Sequence, residues 1–332
     1  MIYNITLIPG DGIGTEVAFA TKKVLDNIGL SINWDIVNAG EKIFEETGTL
    51  VPDSVYKSIE KNKVALKGPI TTPIGTGFRS INVHFRKKYD LYANIRPIQD
   101  LDLSKINFTI FRENTEGLYI GEEKMIDSET AEAIKRISKK GSRRIAIEAF
   151  EYAKKNNKSK VTVAHKANIL KITDGLFLDT VREVAKDYSI ELEEIIIDAM
   201  CMQLVMNPNR FEVVVTTNLY GDILSDLGAG LVGGLGLIPG ANIGTNIAIF
   251  EAVHGSAPDI AGKNIANPVA MIRSGIMMLE YLGETKIAEN LTKAVNSVLK
   301  SGTIVTSDLG GTASTDEITN EIIRKYKEEF NE

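Results

Sequence analysis

Short apolar runs alternate along the chain with longer segments in which apolar residues recur every three or four positions. The runs are typical of buried strands, and the spaced pattern predicts helices with one buried face. The predicted strands cover residues 1–8, 64–66, 108–111, 161–164, 195–197, 213–216 and 247–250. The predicted helices cover residues 17–28, 130–155, 222–235, 269–282 and 315–326. This alternation favours an α/β fold with a mostly parallel sheet.

Three glycine-containing segments invite comparison with nucleotide-binding loops. Residues 228–233 match G-x-G-x-x-G, but that fingerprint needs its first glycine in the turn directly after a strand. These glycines fall inside a predicted helix, so close helix packing is the better interpretation. Residues 9–14 follow the first strand with the wrong spacing, which indicates a tight turn. The loop 254–262 is rich in small residues, so its backbone is a candidate for contact with a nucleotide; its histidine alone is more typical of a structural role.

The length and charge of the chain narrow its class. Its 332 residues are enough for about two domains, and its net charge of −6 argues against a general nucleic-acid binder. The single cysteine, Cys201, cannot form an intrachain disulfide, which fits a reducing compartment. No segment has the apolar length of a membrane span, and the first residues resemble a strand rather than a signal peptide. We therefore expect a cytoplasmic protein without nucleic-acid or membrane partners.

Three aspartates follow predicted strands, where open α/β sheets bind their ligands. Asp198 ends the apolar run 195–197. Asp222 and Asp226 follow the run 213–216 and lie four residues apart on one predicted helix. Oxygen ligands of this kind suit Mg²⁺ or Mn²⁺. An acid pair near a helix start is also favoured by the helix dipole alone, so the spacing leaves both interpretations open.

Several arginines lie on one short helical segment or near the ends of predicted strands. Asn82 and Arg86 are four residues apart, so a helix would present them on the same face. Arg96 and Arg112 follow near strand ends. Converging guanidinium groups would hold a polycarboxylate, because each binds a carboxylate with two hydrogen bonds. A solvated basic surface is the alternative that the pattern leaves open.

Seven segments, taken in order, resemble the β-decarboxylating dehydrogenases, a family that contains isocitrate, 3-isopropylmalate, homoisocitrate and tartrate dehydrogenases. The segments are residues 8–14 (IPGDGIG), 67–69 (KGP), 90–97 (DLYANIRP), 112–117 (RENTEG), 165–169 (HKANI), 218–226 (NLYGDILSD) and 308–311 (DLGG). So many ordered matches, spread nearly end to end, are specific to the family. They look closest to its NAD-linked isocitrate dehydrogenases, including the catalytic subunits of the mitochondrial type.

The resemblance implies an isocitrate/isopropylmalate dehydrogenase-like α/β fold, which is not a Rossmann fold although it binds a dinucleotide. Two domains would flank a central cleft. The large domain would comprise residues 1–91 and 232–332, and the small domain residues 92–116 and 139–231. A clasp over residues 117–138 would tie together a homodimer whose active sites take residues from both subunits.

The reaction implied by the resemblance is the oxidation of isocitrate to 2-oxoglutarate and CO₂ in the tricarboxylic acid cycle, with NAD and with Mg²⁺ or Mn²⁺. The family's site residues carry over onto matching positions of this sequence. The acid/base pair would be Tyr119 and the partner subunit's Lys166. The substrate carboxylates would bind to Arg86, Arg96 and Arg112. The metal ligands would be Asp222, Asp226 and the partner subunit's Asp198.

Substrate choice would depend on Ser80 and Asn82. Their hydroxyl and amide can hydrogen-bond the γ-carboxylate of isocitrate, where 3-isopropylmalate carries an isopropyl group. The isopropylmalate enzymes place larger or apolar residues there, so the pair resembles the isocitrate version. Homoisocitrate is the harder rival, since one extra methylene is worth only about 1–3 kcal/mol.

Cofactor choice would depend on Asp259 and Ile260. A carboxylate can accept hydrogen bonds from both hydroxyls of the adenosine ribose and would repel the 2′-phosphate of NADP. NADP-linked relatives carry a lysine and a tyrosine at these two positions. The other residues expected at the NAD site are Thr72, near the nicotinamide end, His254 and Asn267.

Two alternatives to an NAD-dependent isocitrate dehydrogenase stay open. One is a homoisocitrate or 3-isopropylmalate dehydrogenase. The other is a non-catalytic regulatory subunit of a hetero-oligomeric isocitrate dehydrogenase. Such subunits lose parts of the acid/base and metal set, whereas this chain retains every member of it.

Overall fold

The computed structural model describes residues 2–71, 80–101 and 105–330. Over these residues the chain forms twelve β-strands: β1 (Ile2–Ile8), β2 (Ser31–Ile36), β3 (Val64–Lys67), β4 (Ala93–Gln99), β5 (Asn107–Glu113), β6 (Glu123–Met125), β7 (Ala131–Ala133), β8 (Lys160–His165), β9 (Glu191–Ile196), β10 (Val213–Thr216), β11 (Pro239–Ile243) and β12 (Ala248–Ala252). The same residues form eleven α-helices: α1 (Gly14–Leu25), α2 (Glu41–Thr47), α3 (Asp53–Asn62), α4 (Ile81–Lys88), α5 (Lys139–Lys155), α6 (Thr173–Ala185), α7 (Ile197–Met206), α8 (Asn218–Leu231), α9 (Val269–Tyr281), α10 (Thr285–Ser301) and α11 (Thr315–Phe330).

The chain divides into two compact units, of which one comprises Met1–His84, Gly233–Ala241 and Asn246–Glu332. In this unit β1 pairs in parallel with β2 and with β3, and β12 pairs in parallel with β3. Helices α1, α9, α10 and α11 pack against one another, and α9 also packs against β12. The buried face of α1 includes Val17 and Val24, as the spacing of apolar residues predicts.

The other unit comprises Phe85–Val232 and Asn242–Thr245. Five of its strands follow the order β4, β5, β10, β8, β9 in one sheet, in which β4 pairs antiparallel with β5 and the other described pairings are parallel. Strands β6 and β7 form a separate antiparallel pair. Side chains alternate across a strand, so Phe111 of β5 enters the apolar core beneath α5 and α6, whereas Arg112 reaches α8. This alternation places a cation under the helix that contains Asp222 and Asp226.

Each of the seven predicted strands is confirmed within a few residues, but β2, β4, β6, β7 and β11 were not predicted, and two helix predictions need correction. The segment 130–155 is not one helix: Ala131–Ala133 forms β7, which pairs with β6, and α5 begins only at Lys139. The reason is local, because the side chain of Ser138 accepts a hydrogen bond from the N–H of Gly141 and caps the helix there. Helix α8 begins at Asn218, earlier than the predicted start at Asp222.

The interpretation of the G-x-G-x-x-G match as helix packing holds for Gly228, but an added Cβ at Gly230 would meet nothing within 4 Å, and Gly233 lies beyond the end of α8. Gly228 lies inside α8, where an added Cβ would meet the side chain of Ile98 at 3.0–3.2 Å. A Cβ at this position would require the side chain of Ile98 to move by a few tenths of an ångström. In the described part of the chain no helix has the length and apolarity needed to cross a membrane.

Candidate active site

Strands β4 and β5 and helix α8 bring four of the predicted site residues together in one unit. Arg96 lies on β4, Arg112 on β5, and Asp222 one turn into α8. Tyr119 lies in a short 3₁₀ turn that follows β5. These positions are far apart in sequence, so the sheet order rather than local spacing produces the cluster.

Gly221 allows α8 to approach β5 closely. A Cβ at this position would lie 2.6 Å from both Cβ and Cγ of Arg112, a separation that real Cβ atoms do not show. With glycine there, the arginine side chain passes under the helix and is only 1% exposed. The NLYGD segment therefore contains a packing requirement next to its acidic residue.

Hydrogen bonds fix the guanidinium group of Arg112 against α8. Its Nε and Nη2 donate to Oδ1 of Asn218 at 2.9 and 2.7 Å, and its Nη1 donates to Oδ1 of Asp222. Asn218 in turn donates from Nδ2 to the carbonyl oxygen of Glu116 at 3.1 Å. A lysine could not make these bonds together, because they use the planar fork of arginine.

The carboxylate of Asp222 is the centre of the cluster. The hydroxyl of Tyr119 donates to its Oδ2 at 2.5 Å, and Nη1 of Arg96 lies 3.6 Å from its Oδ1. Arg96 also donates from Nη1 to Oγ of Ser225, a buried side chain one turn further along α8. Two guanidinium groups thus already face a carboxylate, the kind of group that they are expected to bind in a substrate.

Electrostatics keep Asp222 charged and Tyr119 protonated. Burial by itself would raise the pKa of Asp222, but the two arginines and the tyrosine hydroxyl outweigh burial and hold that pKa below its ordinary value. Burial and the bond to this carboxylate raise the pKa of Tyr119. At neutral pH the cluster therefore contains one anion, two cations and a phenol that still carries its proton.

The other predicted metal and acid/base residues lie in the same unit. Asp226 is exposed on α8, one turn beyond Asp222. Lys166 directly follows β8, and its Nζ forms an ion pair with Asp198. Asp198 is the second residue of α7 rather than a strand end, and its pKa is lowered by the hydrogen bond from Lys166. Among the described residues no three His, Cys, Asp or Glu side chains converge as a metal-ligand group.

The residues expected to select the substrate lie at the start of α4. Ser80 precedes the helix, and its backbone carbonyl oxygen accepts a hydrogen bond from the N–H of His84 at 2.9 Å. Asn82 and Arg86 lie one turn apart within α4, as their spacing predicts, and Arg86 is buried. Thr72 lies outside the described residues.

The four described residues expected at the NAD site belong to the unit that comprises Met1–His84, Gly233–Ala241 and Asn246–Glu332. Asn267 donates from Nδ2 to Oδ2 of Asp308 at 2.9 Å and accepts the N–H of Val269 at 3.0 Å, so its side chain is fixed. Burial lowers the pKa of His254, which is therefore neutral at pH 7. Asp259 is exposed in the turn that follows, and Ile260 is half-buried.

Sequence reasoning missed Asn218 and Ser225, which hold the two arginines. Both lie in the quoted segment 218–226, four and three residues from Asp222 on the helix, so they share its face. That spacing was the available signal. Their partners could not be named, because the approach of β5 to α8 is a tertiary feature.

With this geometry in view, comparison with known proteins decides the family. The family model described as isocitrate/isopropylmalate dehydrogenase matches residues 4–322. The chain belongs to this dehydrogenase family. The predicted α/β fold class is confirmed, because the chain superimposes on the crystal structure of isocitrate dehydrogenase from Methylococcus capsulatus with a TM-score of 0.94 and 50% identity, over 98% of this chain and 99% of that one.

Two dehydrogenase relatives differ in their named roles. The chain is 50% identical to a mitochondrial NAD isocitrate dehydrogenase from Dictyostelium discoideum that is named as a regulatory subunit, covering 99% of this chain and 94% of that protein. It is 48% identical to one from Arabidopsis thaliana that is named as a mitochondrial catalytic subunit, covering 96% and 87%. The names place the chain among NAD-dependent isocitrate dehydrogenases and oxidoreductases, and they include both roles.

The prediction of a cytoplasmic protein is wrong. Both of these relatives are named as mitochondrial proteins, which points to the mitochondrion rather than the cytoplasm. The prediction failed because a single cysteine and an ordinary net charge suit either compartment.

Proposed function

We propose that this chain is a catalytic, metal-dependent isocitrate dehydrogenase that oxidises isocitrate to 2-oxoglutarate and CO₂ and reduces NAD. The observation that carries the proposal is the cluster of Arg96, Arg112 and Tyr119 around Asp222. A regulatory subunit has no need for a protonated phenol and two buried guanidinium groups at a potential metal ligand. The match to the NAD isocitrate dehydrogenases supports the substrate and the cofactor.

The substrate would be held by Arg86, Arg96 and Arg112. All three side chains are nearly buried, so a carboxylate that meets them is screened from water and bound more strongly than at a surface. Asn218 and Ser225 would hold Arg112 and Arg96 in place. Binding would then orient the hydroxyl-bearing carbon before the reaction begins.

The donor chemistry fits a hard divalent cation. Asp222 and Asp226 provide only oxygen ligands, are spaced by one helical turn, and both reach solvent. We propose Asp198 of a second copy as the third ligand, as the family resemblance implies. When bound, Mg²⁺ or Mn²⁺ would polarise the substrate oxygens and NAD would accept the hydride.

Two side chains would move protons. Lys166 of a second copy would assist deprotonation of the substrate hydroxyl and then stabilise the negative charge that develops as CO₂ leaves. Tyr119 would donate its phenolic proton to the carbon that loses CO₂. Its raised pKa is suited to a group that must arrive protonated at neutral pH.

Selection would be made at two places. Ser80 and Asn82 at the start of α4 would hydrogen-bond the γ-carboxylate of isocitrate, and a polar site of this kind rejects an apolar analogue because its own groups lose their partners. Asp259 would accept both hydroxyls of the adenosine ribose, with Ile260, His254, Asn267 and Thr72 completing the NAD site. The exposed position of Asp259 leaves its carboxylate accessible.

A homodimer with shared active sites is part of the proposal. Large apolar side chains are exposed on the unit that contains Asp222; they include Met125, Ile126, Ile169, Ile172, Met202, Val205, Met206 and Ile223. Ile169 and Ile172 lie near Lys166 in sequence, and Met202 lies near Asp198. A second copy that covers these apolar side chains would therefore also contact Lys166 and Asp198. The domain limits and the clasp over 117–138 are proposed as in the sequence analysis.

Parallel assays of NADH formation test the substrate assignment. The purified chain with Mg²⁺ and NAD is supplied with isocitrate, homoisocitrate or 3-isopropylmalate, and the best substrate is repeated with NADP. We expect turnover of isocitrate far above the other two and a preference for NAD. A preference for homoisocitrate or 3-isopropylmalate would reject the roles of Ser80 and Asn82 while keeping the metal site.

A further inference from the structure

A fully buried carboxylate supports the loop that contains Lys166. Asp174 lies in the first turn of α6 with 0% exposure. Its Oδ2 accepts the backbone N–H of Lys166 at 2.7 Å. The loop closes on itself as well, because the carbonyl oxygen of Lys166 accepts the N–H groups of Ile169 and Leu170 at 3.0 and 2.9 Å. The backbone of Lys166 is therefore fixed from both its donor and its acceptor side.

The other oxygen of Asp174 is occupied by a lysine. Oδ1 forms an ion pair with Nζ of Lys135, whose side chain is 16% exposed. The same ammonium group lies 4.6 Å from the ring centroid of Tyr220 and 3.5 Å from its hydroxyl. Tyr220 is two residues from Asp222 on α8. A single buried carboxylate thus connects the Lys166 loop, the end of the 117–138 segment and the helix that contains Asp222.

We infer that Asp174 and Lys135 are positioning residues for Lys166. The inference rests on the proposed function, in which Lys166 assists proton transfer. Burying a carboxylate is unfavourable unless it is paired, so the ion pair with Lys135 stabilises Asp174 in its site, and Asp174 holds the Lys166 backbone in place. The pair does not touch the reacting atoms. It acts by restricting the backbone conformation at Lys166.

This role predicts an effect on turnover rather than on substrate binding. Asp174→Asn keeps an oxygen for the Lys166 N–H, but its NH₂ group then faces the ammonium group of Lys135, where two donors meet and the ion pair is lost. Lys135→Met keeps the side-chain volume but removes the charge. Each change should lower kcat by about 10- to 100-fold, the cost of a small misplacement of a reacting group, with little change in KM for isocitrate. Thermal unfolding of both variants checks that each is folded.

A double-mutant cycle separates positioning from general damage to the fold. In a Lys166→Met background the loss of kcat from Asp174→Asn should disappear, because its effect passes through Lys166. Lys160→Met is the matched control: Lys160 is 18% exposed, pairs with Glu193 at 3.2 Å and begins β8 at the end opposite Lys166. That variant should keep the kcat of the parent.

A second readout does not need activity. In Asp174→Ala, segments that do not contact Asp174 or Lys135 should exchange their amide hydrogens as in the parent, whereas exchange over residues 164–170 should be faster than in the parent. Unchanged exchange there, or an equal loss of kcat from Asp174→Asn with and without Lys166, would overturn the inference. If the parent does not turn over isocitrate, the proposed function fails by itself. Faster exchange would then still support the positioning of Lys166.

Discussion

At the scale of single residues, Asp222 shows what sequence can and cannot supply. Its place in NLYGDILSD identifies it by resemblance, and its spacing from Asp226 indicates a shared helix face. Its bonds to Arg112 and Tyr119 arise only in the fold. The bond to Arg112 depends on β5 lying so close to α8 that only glycine fits at position 221. Tertiary approach of this kind has no signature in local spacing.

Replacement of Arg112 by lysine tests the fork geometry of the site. Arg112→Lys keeps the positive charge but loses the paired bonds to Asn218 and the guanidinium bond to Asp222, so kcat/KM for isocitrate should fall by about 100-fold, equivalent to roughly 2–3 kcal/mol. Steady-state kinetics measure the loss. The matched control is Arg144→Lys, which removes an arginine paired with Asp90 and should have little effect. A similar loss in both variants would contradict a specific role for Arg112.

Replacement of the ribose-facing pair tests cofactor choice. Asp259→Lys combined with Ile260→Tyr removes the charge that would repel a 2′-phosphate and supplies a cation, so the preference should shift toward NADP. The ratio of kcat/KM for the two cofactors measures the shift. Glu289→Lys, an exposed charge reversal on α10, serves as the control for net charge. A double variant that keeps the parent's ratio would reject the assignment.

At the scale of secondary-structure elements, the pattern of apolar residues predicts strands better than it predicts helix starts. The predicted helix 130–155 has few large apolar residues in its first part, and that part instead pairs as β7 with β6. Helix α5 starts where Ser138 supplies a cap and Glu116 accepts the N–H of Ser138 at 2.7 Å. Ser138, three residues before Gly141, could be recognised in the sequence as a candidate cap. Its hydrogen bond to Glu116 of the RENTEG segment could not, because that contact forms only in the fold.

Removal of this cap should destabilise the unit without changing its chemistry. Ser138→Ala loses the bond from the N–H of Gly141 and the bond that the hydroxyl donates to Glu116, and should lower the free energy of unfolding by about 1 kcal/mol. Denaturant unfolding measures the change. The control is Ser54→Ala, an exposed serine in the first turn of α3, where a change within about 0.5 kcal/mol is expected. Equal effects of the two substitutions would reject the cap at Ser138.

At the scale of the whole molecule, composition was the weakest guide. It suggested a cytoplasmic protein, whereas the relatives are named as mitochondrial. The alternation of strands and helices and the seven ordered segments were far more informative, and the family and fold they indicated are confirmed. The exposed apolar residues near Lys166 could not be recognised beforehand, because apolar residues in a sequence are normally assigned to a core.

A charge placed among these apolar residues should disrupt assembly. Ile172 is 86% exposed in the loop that follows Lys166, and Ile172→Asp should convert a dimer to a monomer and abolish turnover, since each site would lose Lys166 and Asp198 of the second copy. Sizing by light scattering, paired with the activity assay, measures both. Ile2→Asp alters an isoleucine that is 69% exposed in the other unit and should change neither property. A dimer that persists in Ile172→Asp would contradict the proposed interface.

The decisive measurement is NADH formation from isocitrate by the purified chain alone, with added Mg²⁺, after chelation, and after metal is restored. A catalytic subunit should turn over without any other protein, lose activity on chelation and regain it with Mg²⁺ or Mn²⁺. An intact, folded chain that is inactive alone with either metal, but stimulates a separate catalytic subunit, would show that it is regulatory and contradict the proposed function.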